Sequence, residues 1–386
     1  MKLSPPACPK CYIVAGGQRC STAGRVRKVI TTAINFDLLR FTSIYSDSLR
    51  MTRFKRKIIE YFILLLIIVA LIVAGWIVLF LQSFENDNFE LGTDFSVKFA
   101  KELKIDWQDA YLAMLDDLQV KKIRIHAPWD QIEPSRGEYN FEELDFQIKE
   151  ASQRDVEIIL AIGRRTPRWP ECHDPAYIKS LPADFVQDKQ FQMMRTVVER
   201  YKSFPAIKVW QVENEPLLDV FGECPSSDAD LLRREVNYVK SLDNSRPVLV
   251  TDSGELGLWI IAANVSDLFG TTMYRVTYNK WLGYNFYKFP PIFYRLKAQL
   301  VGRDPNTVIV SELQAEPWAE EGILSTPLEE QRKSMDSERL LSHIEFVKKT
   351  GFNSAYLWGV EWWYWLANKK SEPEMWNTAK DLFSQQ

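Results

Sequence analysis

Residues 207–216 read IKVWQVENEP. A largely apolar, β-branched and aromatic run, Ile207 to Val212, passes directly into Glu213, Asn214, Glu215 and Pro216. A near-continuous run of this kind suits a strand covered on both faces, because a strand with one wet face alternates. Proline cannot donate to a ladder, so the strand must stop where the acid and amide side chains begin. Three polar side chains at the end of a buried strand need a use, and the rest of the chain indicates one.

Similar runs lie near Leu91 to Phe95, Lys122 to His126, Val156 to Ile162, Pro247 to Thr251, Phe269 to Tyr274, Thr307 to Ser311 and Ser354 to Trp358. Helical patterns separate them: Trp107 to Leu118, Phe141 to Arg154, Phe185 to Tyr201, Asp228 to Leu242, Pro291 to Leu300 and Leu328 to Lys349, with Glu374 to Phe383 last and the weakest at Gly257 to Val265. Strands alternating with helices call for a parallel sheet. Eight units within residues 91–386 suit a closed (β/α)8 TIM barrel better than an open doubly wound sheet, and no GxGxxG follows the first strand. In such a barrel the chemistry belongs at the C-terminal ends of the strands.

Ahead of the barrel, residues 61–81 read YFILLLIIVALIVAGWIVLFL, without a charge. That is long enough to cross a hydrocarbon core as a helix, so residues 58–82 are expected to be a transmembrane signal anchor in the lipid bilayer, followed by a linker at 83–90. Arg53, Lys55, Arg56 and Lys57 precede it, and Glu85, Asp87 and Glu90 follow. The positive-inside bias puts the N-terminus in the cytoplasm and the barrel outside. Residues 1–57 form a basic cytoplasmic tail. The first fifty hold eight Lys or Arg and two Asp or Glu, a net +6; with the whole chain at −3, the portion from Met51 onward is left at −9. That stretch reads as an over-extended reading frame or a disordered tail, with Met51 the true start. The acidic remainder does not suggest a nucleic-acid partner. Cys8 and Cys11 (CPKC) have no second pair or histidine nearby to complete a zinc site.

The strand ends gather acids, arginines and indoles. The second ends in IRIHAPWDQIEP, with Arg124, His126, Trp129 and Glu133. The third ends in GRRTPRWPECH, with Arg164, Arg165, Arg168, Trp169, Glu171 and His173. Tyr274 ends the sixth, VIVSELQAEPW brings Glu312, Glu316 and Trp318 to the seventh, and YLWGVEWWYW brings Trp358, Glu361 and Trp362 to the eighth. Two carboxyl groups facing each other among indole rings can cleave a glycosidic bond: one protonates the leaving oxygen, the other attacks or stabilises an oxocarbenium-like centre. The rings can stack on sugars, and Trp358 and Trp362 are the expected platforms, with Trp365 assigned to packing.

WQVENEP with the later VIVSELQ, an arginine ending the second strand, a tyrosine the sixth and a tryptophan the eighth, resembles the clan A glycoside hydrolases, retaining (β/α)8 enzymes that include cellulases, β-mannanases and β-galactosidases. The likeness runs from Leu91 to about Leu366. It implies that Glu215 is the acid/base and Asn214 a ligand of the substrate 2-hydroxyl, and that Glu312 is the nucleophile, oriented by Arg124 and Tyr274. Trp358 would floor the subsite where the bond breaks; Trp129, Trp169 and His126, by their place at the strand ends, are expected to bind substrate beside it. No metal or cofactor is implied, and the partner is a β-linked oligosaccharide or polysaccharide. Glu213 is expected to be supporting.

Alternatives stand beside this reading. Glu316 shares side-chain parity with Glu312, so a longer seventh strand would offer Glu316 as nucleophile. Glu133, Glu171, Glu255 and Glu361 suit caps or ion pairs, and Arg164, Arg165 and Arg168 could neutralise acids or bind acidic sugars. Cys172 and Cys224 fall in neighbouring rim loops, where a disulfide is expected. The rival function is an inactive carbohydrate-binding or scaffold barrel at the cell surface.

Overall fold

The computed structural model describes residues 53–319 and 321–385. The basic stretch 1–50, with Cys8, Cys11, Cys20 and the suggested start at Met51, lies outside the described residues. The chain divides into two units, one ending at Trp76 and one beginning at Ile77. Most of a 29-residue helix, Arg53–Leu81, belongs to the first. Its stretch Lys55–Leu79 is long and apolar enough to cross a membrane and is not buried in the protein, unlike a core helix of that composition.

The second unit is a closed barrel of parallel strands. In chain order these are β1 Glu90–Asp94, β2 Lys122–His126, β3 Glu157–Ile162, β4 Ile207–Val212, β5 Val248–Asp252, β6 Leu268–Met273, β7 Ile309–Gln314 and β8 Ser354–Trp358. Closure is made by β1, which pairs with β2 at Thr93 to Ile123 and with β8 at Leu91 to Ala355. The barrel interior is floored by Ile159, Val209, Leu249, Ile309 and Tyr356, one from each of five strands. Outward-facing residues of the same strands join the larger core beneath the helices. A polar layer lies above the floor, two residues further along the strands: Gln211 after Val209 and Thr251 after Leu249, both buried.

One irregularity decides which side chain β7 presents. Ile309 points inward, so strict alternation would turn Glu312 outward. The β6–β7 register, however, pairs Thr271 with Val310 and Thr272 with Glu312, leaving Ser311 as an extra residue. This bulge shifts the parity and brings Glu312 into the mouth.

The helices begin where local chemistry supplies caps. Asp228 accepts the N–H groups of Asp230 and Leu231 to open Ala229–Leu242, the kind of contact that contributes about 1 kcal/mol. Several elements differ from the sequence expectation, among them short helices at Val97–Glu102 and Trp129–Ile132 where none is expected. The expected helix Leu328 to Lys349 is two, Leu328–Gln331 and Ser337–Lys348, because the Asp336 side chain caps a new start at the Arg339 N–H. A hairpin of Val276–Asn279 and Gly283–Phe286 follows β6 where none was expected. The tryptophan-rich run after β8 is a helix, Val360–Lys369, with Trp362, Trp363 and Trp365 all buried. Trp362 is therefore no sugar platform; its indole N–H donates to Gln331 at 2.7 Å.

Candidate active site

At the end of β4 the chain turns sharply, with left-handed backbone at Glu213 (φ 59°) and Glu215 (φ 45°). Such conformations are costly outside glycine and are kept where surroundings over-determine them. The Glu213 side chain turns back under the loop after β3, accepting the N–H groups of Arg164 and Arg165 at 2.7 Å each. Gly163 (φ 129°) makes room for it, since a Cβ there would lie 2.1 Å from Glu213 Oε1. Burial lifts the Glu213 carboxyl to about 7 against these two donors. Glu213 is thus a support for the rim.

Glu215 faces the mouth. Its N–H donates to Thr251 at 3.0 Å, and its Oε1 accepts the Thr272 hydroxyl at 2.9 Å. Thr272 is the β6 partner of Glu312, so the two carboxyls flank one register position. Burial first, then the charges of Glu312 and Glu171, hold the Glu215 carboxyl well above its ordinary range. A carboxyl so placed holds its proton more tightly than an exposed one and is suited to act as an acid.

Glu312 has the opposite surroundings. Its Oε1 accepts from Arg124 Nη1 at 2.9 Å and its Oε2 from the Tyr274 hydroxyl at 2.8 Å. Arg124 is wholly buried. It also donates to Asp94 at 2.8 Å, Gln211 at 2.7 Å and Asn214 at 2.8 Å. Burial disfavours its charge, but Asp94 and Glu312 outweigh that and hold the guanidinium protonated. Asn214 passes the network on, its amide donating to Glu171 at 3.0 Å. Glu171, lifted to about 7 by burial and then by the Glu312 charge, is a third carboxyl at the centre and also the ion-pair member that the sequence suggests, 3.7 Å from Arg165 Nε.

Glu316 lies past the end of β7 and bonds Arg168 instead of Arg124 or Tyr274. The Arg168 guanidinium also bonds Glu361 at 3.2 Å and covers one face of Trp358, 3.9 Å from the ring centre. Trp169 is half exposed on the rim, packed against Phe221. Two further expected rim residues have other surroundings. Trp129 is fully buried, its indole N–H donating to Glu133 at 2.9 Å, because the short helix after β2 turns the ring into the core. His126 lines a separate pocket of about 220 Å³ with Lys98 and Asp130; burial, then the neighbouring His173 and Arg124, lower its pKa well below the usual value. Cys172 and Cys224 are joined in a disulfide between the loops after β3 and β4.

Asp94, Gln211, Thr251 and Thr272 were not singled out from the sequence. Gln211 and Thr251 sit among apolar residues on strands that carry other candidates, and a polar residue inside an apolar run was the available signal.

A family model described as "Beta-galactosidase" matches residues 103–178, and one described as "Glycosyl hydrolases family 2, TIM barrel domain" matches residues 179–329. Among curated proteins, the probable mannan endo-1,4-beta-mannosidase A of Aspergillus niger is 28% identical over 132 residues, 31% of this chain and 32% of that protein. Beta-galactosidase BgaB of a Geobacillus species is 30% identical over 131 residues, 29% of this chain and 19% of that protein. The chain thus spans a third or less of these relatives' lengths. A solved exo-beta-1,4-mannosidase, Op5Man5 from Opitutaceae bacterium strain TAV5, superposes with a TM-score of 0.51 at 15% identity, covering 72% of this chain and 53% of that one, a likeness of fold.

Proposed function

We propose that this chain, a clan A glycoside hydrolase, is a β-glycosidase that works with retention by double displacement. The observation that carries the reading is the contrast between the two central carboxyls: Glu312 bonded to Arg124 and Tyr274, Glu215 bonded to the Thr272 hydroxyl alone. The Glu312 carboxylate attacks the anomeric carbon while Glu215 gives its proton to the departing oxygen. Glu215, now a carboxylate, then takes a proton from water, which attacks the same carbon and frees Glu312. In this reading Asn214, beside Glu215 on the same turn, meets the substrate 2-hydroxyl, and Trp169 and Trp358 meet sugar rings. The β-mannosidase and β-galactosidase names among the relatives support a β-linked mannoside or galactoside as the first substrate to try.

In this reading the apolar helix is a single-pass anchor, with the basic residues before it in the cytoplasm and the barrel on the far side of the membrane. Resistance of the full chain to carbonate extraction, with protease reaching the barrel only from outside the cell, is the expected result.

The test is hydrolysis of aryl β-mannosides, β-galactosides and β-1,4-linked mannan by the detergent-solubilised full chain, with Glu215→Gln and Glu312→Gln beside it. Loss of activity in both variants supports the assignment, and loss in Glu316→Gln but not in Glu312→Gln moves the nucleophile. The guanidinium against Trp358 favours one rival, an idle glycan-binding barrel, which gains if the parent binds these glycans and cleaves none.

A further inference from the structure

Arg168 does more than pair with acids. Its guanidinium lies between two rings, 3.9 Å from the centre of Trp358 and 3.8 Å from that of Phe99. Nη2 donates to Glu316 at 3.0 Å and to Glu361 at 3.2 Å, and Nη1 bonds Glu316 as well. One side chain from the loop after β3 therefore reaches the segments that follow β1, β7 and β8, across the barrel mouth. The backbone behind it is pinned too. Lys98 Nζ donates to the carbonyl of Trp169 at 2.8 Å, and the Arg168 carbonyl is hydrogen-bonded to His173 at 3.1 Å. On the other flank a row of rings encloses the site: Trp169 on Phe221 at 5.8 Å, Phe221 on Trp318 at 6.0 Å, and Trp318 on Tyr274 at 5.5 Å.

We infer that Arg168 is a specificity-determining wall that closes one end of the cleft, so that this enzyme removes sugars from chain ends rather than cutting within a polymer. The inference rests on the glycosidase reading above. A polymer cut internally must leave the catalytic pair on both sides, which requires an open groove. Here Glu215, Glu312 and Trp358 are only 7%, 4% and 6% exposed. Arg168 is also badly suited to swing aside. Withdrawing it would leave Glu316 and Glu361, both side chains about one-tenth exposed or less, without their counter-charge and would uncover both rings. Nor does it make a receptor for acidic sugars, since its charge is already met by two carboxylates.

The experiment follows products from reducing-end-labelled β-1,4-mannohexaose and β-1,4-galactohexaose, with mannan viscosity in parallel, using the detergent-solubilised full chain. The expected parent releases one small sugar from the unlabelled end from the earliest time, with viscosity unchanged at a few per cent conversion. Arg168→Ala paired with Glu316→Gln, which leaves the net charge unchanged, is expected to produce labelled fragments of intermediate length at least tenfold more often. Internal fragments from the parent at early times would overturn the inference, as would an unchanged product pattern in the folded double variant. The parent result alone decides if that variant fails to fold. Absence of hydrolysis of every aryl glycoside would remove the glycosidase reading itself, whereas aryl-glycoside activity with internal cutting would remove only the wall.

Discussion

Replacing Arg124 by methionine keeps much of the side-chain volume and removes the charge. In the parent that charge is shared by Asp94 and Glu312, at 2.8 and 2.9 Å, in a site with no solvent access to the guanidinium. Breaking a buried ion pair from one side costs about 3–5 kcal/mol. At roughly 2–3 °C per kcal/mol for a domain of this size, the midpoint should fall by about 6–15 °C. The loss should also depend on pH. Burial already holds the Asp94 carboxyl well above its ordinary value, with Arg124 as the main opposing influence. Without Arg124 the folded-state value rises further. A carboxyl whose pKa is higher folded than unfolded binds more protons when folded, so stability falls as pH rises through the window between the two values. The deficit of Arg124→Met relative to the parent is therefore expected to be smaller at pH 5 than at pH 8, read by intrinsic fluorescence during heating in detergent. An equal deficit at both pH values, or one below about 3 °C, would refute this account of the network.

Thr272→Val removes the hydroxyl that donates to Glu215 and lowers its pKa. The carboxyl should hold its proton to higher pH, moving the alkaline limb of the kcat profile up by about one unit, the equivalent of one hydrogen bond; a limb that stays or moves down counts against Glu215 as the acid. The double change Cys172→Ser with Cys224→Ser opens a bridge spanning 52 residues, worth about 4 kcal/mol on a chain-entropy model, and should lower the unfolding midpoint to that of the parent in reductant. Trp129→Phe leaves Glu133 without its indole donor and should cost about 1–3 kcal/mol of stability with KM within twofold of the parent. A tenfold rise in KM would place Trp129 at the substrate after all.

The barrel was legible because its signals are local. β2, β4 and β8 run as the apolar pattern predicts, and the ends of the other strands shift by one to three residues. What the pattern could not carry was side-chain direction. Trp129 and Trp362 read as rim aromatics, yet short helices after β2 and β8 turn both rings inward, and a helix so soon after a strand leaves little trace in an aromatic-rich stretch. The choice between Glu312 and Glu316 was left open by parity for the same reason. The extra residue at Ser311 turns both toward the mouth alike, and what separates them is that β7 ends at Gln314, so that Glu312 lies on the strand and Glu316 past it; a period of two registers neither feature. The disulfide was readable because the loops after β3 and β4 are neighbours once the barrel order is known.

The mouth also explains how one residue type can fill several roles. Five glutamates gather there, and burial raises four of them, Glu171, Glu215, Glu316 and Glu361, above the ordinary carboxyl range. What separates them is the cation, or the lack of one, within hydrogen-bond reach. Glu312 shares Arg124 with Asp94, while Glu316 and Glu361 share Arg168. Glu171 stands 3.7 Å from Arg165 Nε and takes an amide from Asn214. Glu215 is left with the Thr272 hydroxyl alone on its carboxyl and with like charges beside it. In the proposed mechanism a proton entering this site is therefore best held on Glu215, while Glu312 accepts from Arg124 and Tyr274. Each further negative charge nearby strengthens that preference, so Glu171→Gln should weaken the hold on the proton and move the alkaline limb of kcat down, opposite in sign to Thr272→Val. If both variants moved the limb in the same direction, the proton would not be governed by the neighbours named here.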